Sequence, residues 1–74
     1  MTLLIIYETY NDGTENRKTI KEYGTYEEAL AIFHNEFAKA IPDSNVKLLT
    51  CAICGTTMTI QKRETYTNPT SEAE

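Results

Sequence analysis

Two cysteines, one histidine and eleven carboxylates are the side chains from which this 74-residue chain could build chemistry. The densest arrangement is Cys51-Ala52-Ile53-Cys54-Gly55. A C-x-x-C-G turn has the form of one knuckle of a zinc ribbon, where two thiolates grip one metal and glycine permits the tight return. A structural zinc takes four ligands, and the chain has no second C-x-x-C. His34 falls on a predicted helix about 80° from the centre of its apolar stripe, counting ~100° per residue, so it can turn toward a neighbouring sheet. One reading is therefore a zinc site of Cys51, Cys54, His34 and a carboxylate, or a four-cysteine site shared by two chains. The other is that both thiols are buried strand residues, as free cysteines commonly are. In a strand, residues three apart point to opposite faces and their Cα atoms stand roughly 10 Å apart, which defeats a shared metal and a disulfide alike. Buried thiols fit the spacing better, and zinc is the one cofactor the sequence offers.

His34-Asn35-Glu36 followed by Cys51-x-x-Cys54 also resembles the H-x-E and C-x-x-C pair of zinc deaminases, in which glutamate moves protons beside the metal. Thr50 stands where that family has proline, and residues two apart on a helix point ~200° apart. There is no G-x-S-x-G, no H-E-x-x-H and no glycine-rich phosphate loop. Glu27 and Glu28 are adjacent at a predicted helix start and read as capping residues. The expectation is a protein without catalytic residues.

The elements that position these side chains follow from the turn signals. Leu3 to Tyr10 is rich in branched and aromatic residues and predicts a strand. Asn11-Asp12-Gly13-Thr14 then predicts a hairpin, since glycine accepts positive φ. Asn16 to Tyr23 is a more polar strand, whose Arg17, Lys18, Lys21 and Glu22 suit a sheet edge. Thr25 opens a helix with a capping box, its hydroxyl serving a backbone N–H and Glu28 reaching back. Tyr26, Ala29, Leu30, Phe33, Phe37, Ala40 and Ile41 form one apolar stripe, and Pro42 marks its stop. Val46 to Cys54 and Met58 to Tyr66 predict two further strands. Residues 1–66 thus make one α+β domain of order ββαββ, and residues 67–74 an acidic, disordered tail. A right-handed crossover over the helix leaves the first strand between the second and third. The predicted sheet is antiparallel, in the order 2-1-3-4, with one helix on one face.

One helix covers one face of such a sheet. A face meeting water should impose apolar–polar alternation on the central strands, yet Leu3-Leu4-Ile5-Ile6 and Cys51-Ala52-Ile53-Cys54 do not alternate. Either Leu4 and Ile6 or Leu3 and Ile5 must point away from the helix, and Leu4 and Ile6 are assigned to that partner-binding surface. Exposed apolar patches of this kind mark interfaces. The alternative is that tyrosines, threonines and lysine stems cover the face locally.

The net charge is −4, but without the terminal Glu72 and Glu74 the body holds nine acids against seven bases. That mild acidity argues against a nucleic-acid surface, which is normally basic. No apolar run approaches the ~18 residues of a membrane span, and no signal peptide is expected. The expected location is the cytoplasm.

The β-rich start, Lys21-Glu22-Tyr23-Gly24-Thr25-Tyr26-Glu27-Glu28-Ala29, Phe33-His34, Phe37-Ala38-Lys39-Ala40-Ile41 and Leu49-Thr50-Cys51-Ala52-Ile53 together resemble short proteins carried by phages, prophages and other mobile elements of Firmicutes. The likeness covers residues 3–66, and Cys54 departs from it where a branched residue is expected. It implies a small non-enzymatic protein in a bacterial host cell. The leading function is an inhibitor of host defence of the anti-CRISPR type, whose partner is a Cas nuclease. The alternatives are a self-assembling accessory protein, homodimeric through the open sheet face, and a zinc-stabilised binding module. For an inhibitor, Glu27, Glu28, Glu36 and Asp43 form the candidate acidic contact strip.

Overall fold

The computed structural model describes residues 1–57 and 59–69. Its elements are β1 (Thr2–Tyr10), β2 (Arg17–Tyr23), α1 (Tyr26–Ala40), β3 (Val46–Cys54) and β4 (Ile60–Thr67). They form a four-stranded sheet in the order β2-β1-β3-β4, with every neighbouring pair antiparallel. The expected α+β fold and strand order are therefore observed. The two strands richest in aliphatic residues are central, where both of their edges find hydrogen-bond partners.

The β1–β2 connection is a six-residue loop built around Gly13, at φ 81°. The Asp12 carboxylate accepts from the Thr14 backbone N–H at 2.9 Å and from its hydroxyl. Those bonds, the hydroxyl's first, hold Asp12 below the usual carboxylate range. The loop is tied across the molecule, since Asn11 N–H donates to Asn45 O at 2.8 Å and the Asn45 side chain donates to Asp12 at 3.1 Å. Helix α1 starts at its expected cap, with the Thr25 hydroxyl accepting from the Glu28 N–H at 3.2 Å. Glu28 reaches back to that hydroxyl at 3.3 Å rather than to the Thr25 N–H. The helix also ends where Pro42 demands, but Ile41 keeps helical geometry (φ −55°, ψ −47°). The stop lies instead in Pro42's missing N–H and in the turn that follows, where Asp43 N–H donates to Ala40 O.

The sheet's inner face and the helix enclose the core of Leu4, Ile6, Ala29, Phe33, Ala40, Val46, Leu49, Cys51 and Ile53. Leu4 and Ile6 are buried against the helix, so their assignment to the open face is corrected: Leu3 and Ile5 occupy it. Ile41, expected on the apolar stripe, is exposed because it caps the helix beyond the sheet. The expected tail boundary also moves. Thr67 belongs to β4, and the buried Asn68 donates its backbone N–H to Lys47 O and its side-chain amide to Val46 O, both at 2.9 Å. Residues 70–74, the rest of that segment, lie outside the described residues.

Candidate functional site

Strand register fixes what the open face carries. Leu3 pairs with Glu22 and Cys54, Ile5 with Ile20 and Ala52, and Tyr7 with Lys18 and Thr50. On the other edge, Cys54 pairs with Ile60, Ala52 with Arg63 and Thr50 with Thr65. Since paired residues share a face, the open surface divides into two halves. One is apolar, a band from Ile20 through Leu3, Ile5, Ala52 and Cys54 to Ile60, flanked by Glu22 on β2 and Arg63 on β4. Its edge isoleucines are 67% and 53% exposed, too much for side chains whose burial is worth about 2 kcal/mol each.

The other half is covered locally. Lys18 Nζ lies 5.5 Å over the Tyr7 ring, Asn16 donates to the Tyr7 hydroxyl at 2.7 Å, and the Thr50 and Thr65 hydroxyls bond at 3.1 Å. Both expectations for the open face thus hold, each on its own half.

The inner face contains a charged cluster that sequence reasoning missed. Glu8 follows Leu4 and Ile6 on the same side of β1 and is buried. Arg17, its partner in register on β2, places Nε 3.2 Å from the Glu8 carboxylate, although that N–H is not aimed to form a hydrogen bond. Arg17 Nη2 donates to Glu36 of the helix at 2.5 Å, and Lys39 stands 3.5 Å from the same carboxylate. The Tyr10 hydroxyl donates to Glu8 at 2.7 Å. One guanidinium thus ties an edge strand, a central strand and the helix together. Burial opposes its charge, but the hydrogen bond and charge of Glu36, with Glu8 behind, outweigh it and hold Arg17 even more firmly protonated. Burial first, then the bond and charge of Glu8, raise the Tyr10 hydroxyl.

The acidic contact strip is not continuous. Glu36 faces inward and is spent on Arg17 and Lys39. Glu27 and Glu28 are exposed in the first turn of α1, while Asp43 lies beyond its other end and accepts from the Asn45 N–H at 2.9 Å. A 15-residue helix at ~1.5 Å per residue separates the two ends by about 22 Å.

The candidate zinc ligands do not converge either. Cys51 faces the helix and Cys54 the open side, as their spacing requires in a regular strand; both are buried and free. His34 is exposed, its ring edge-on to Phe33 with centroids 5.5 Å apart. No group of three or more His, Cys, Asp or Glu side chains placed to hold a metal occurs among the described residues. Burial, then the negative charge of Glu36, pushes the Cys51 thiol up to about 12, opposite to the shift a metal-binding or reactive cysteine needs. Among the described residues no helix is long and apolar enough to cross a membrane. No family model, curated protein or solved structure matches the chain.

Proposed function

We propose that this chain works by binding another protein surface through the apolar half of its open sheet face. The supporting observation is the band of Ile20, Leu3, Ile5, Ala52, Cys54 and Ile60, whose outermost side chains stay largely in water although the charges around them are confined to the rim. The resemblance to short phage and prophage proteins adds a context, the cytoplasm of a bacterial host, and a partner class, host defence proteins such as a Cas nuclease. In that context the protein blocks a surface rather than transforming a substrate.

Photo-crosslinking amino acids placed singly at Ile20, Ile60, Ala31 and Asn35 test the proposal in cells. The first two lie on the open face and the last two are exposed on the helix. Adducts are expected from Ile20 and Ile60 alone; adducts from the helix positions alone contradict it. For the nuclease class, purified effectors should co-elute with the chain and lose cleavage activity, and Ile20→Lys should remove both effects. Cleavage inhibited equally by Ile20→Lys places the contact elsewhere.

A further inference from the structure

We infer that the occupant of the apolar half-face is a second copy of this chain, packed sheet to sheet about a two-fold axis; this rests on the binding role proposed above. Three features favour a copy over an unrelated partner. The first is self-complementarity, which a two-fold interface requires because one patch meets itself. Glu22 and Arg63 sit on opposite edge strands, on either side of the apolar band, one pair of residues apart along the strands. An axis parallel to the strands and lying between β1 and β3 lays β2 of one copy over β4 of the other. Glu22 then faces the edge that carries Arg63, with an offset of about 7 Å that an arginine side chain spans, and the pair forms twice. The same operation brings the exposed Ile20 and Ile60 edges together over the central Leu3, Ile5 and Ala52.

The second feature is size. Nine-residue central strands at ~3.3 Å per residue and four strands ~4.8 Å apart give a face of roughly 550 Å², so two copies bury about 1,100 Å². That lies at the lower limit for specific interfaces, which sets the expectation of a reversible, concentration-dependent dimer rather than a permanent one. The third is need. A single core in a chain of this length supplies only about 3–5 kcal/mol, and small domains add a disulfide, a metal or a second copy. Here the cysteines are free and on opposite faces. Stacking two sheets ~10 Å apart covers the half-face that one helix leaves open.

Sedimentation velocity on the full chain, from about 5 to 500 μM, tests this. The mass should rise from 8.4 kDa toward twice that value. Ile20→Lys, at an exposed position that cannot disturb the core, should keep the chain monomeric with its melting temperature at low concentration unchanged. Glu22→Arg and Arg63→Glu should each weaken association at least ~10-fold, and the double exchange should restore most of it. A chain at 8.4 kDa throughout, a dimer indifferent to Ile20→Lys, or a double exchange no better than the singles overturns the inference. The binding role is separated by cross-linking at Ile20. A monomer that still gives an adduct with a different protein overturns only the second copy, whereas a monomer without any adduct overturns both.

Discussion

Replacing Arg17 by methionine removes the one cation that joins Glu8 of β1 to Glu36 of α1 while keeping an unbranched apolar stem. The two carboxylate side chains are only 10% and 11% exposed, so water replaces the lost charge poorly. At an effective dielectric of about 20, each contact near 4 Å is worth about 4 kcal/mol before desolvation is counted. Breaking a fully buried pair costs about 3–5 kcal/mol, because one charge is left uncompensated. Arg17 is itself 40% exposed, and Glu8 and Glu36 keep Tyr10 and Lys39, so the loss scales down to about 2 kcal/mol. For a domain of this size that lowers the melting temperature by roughly 10 °C.

Urea denaturation and thermal melts followed by circular dichroism at pH 7 measure the effect. Arg17→Lys should recover part of it, since an ammonium cannot fork between two carboxylates. Lys21→Met, at an exposed position on the same face of the same strand, should change stability by less than ~0.5 kcal/mol. The combined change Glu8→Leu, Arg17→Met and Glu36→Leu should be more stable than Arg17→Met alone, because it removes the stranded charges with their partner. An Arg17→Met variant within ~0.5 kcal/mol of the parent refutes the reasoning: the cluster would then be a surface contact and Glu8 adequately solvated without it.

Two further outcomes follow from the same face of the sheet. The folded protein holds the Cys51 proton to about pH 12 and the unfolded chain only to its ordinary 9.0, so between these limits the unfolded state binds fewer protons and stability falls as pH rises. Relative to Cys51→Ala, which carries the same Tyr10, the parent should lose up to about 1 kcal/mol per pH unit above pH 9; parallel stability curves contradict this. Asn68→Ala removes the amide that satisfies the Val46 carbonyl inside the structure and should cost about 1–2 kcal/mol in urea titrations, a result that a solvated tail position could not give.

The fold was legible because each boundary has a local cause: Asp12-Gly13, the Thr25 cap and Pro42 are chemical punctuation, and chain order with a crossover leaves few sheets. The orientation of β1 was not. Leu3-Leu4-Ile5-Ile6 has no phase of its own, and the nearest polar signal, Glu8, points the wrong way, because a carboxylate sharing a side with Leu4 and Ile6 normally marks the wet face. Only Arg17, across the hairpin, makes its burial tolerable, and that pairing exists only once register is set. Glu36 was more accessible to sequence reasoning. It lies at the three- and four-residue spacing of Ala29, Phe33 and Ala40, so the helix period already placed it inward, and grouping it with Glu27 and Glu28 by charge overrode that signal. Cys51 and Cys54 came out as strand geometry dictates, on opposite faces.

Three isoleucines of similar exposure allow the central claim to be measured directly. Ile20 and Ile60 border the open face, at 67% and 53%, while Ile41 caps the helix at 58% and serves as an internal control. Methyl relaxation by a soluble paramagnetic probe should be equal at all three in dilute protein. As concentration rises, Ile20 and Ile60 should become shielded while Ile41 does not. Equal relaxation of all three at every concentration, and again after addition of any protein cross-linked at Ile20, would contradict a working surface on the open side of the sheet.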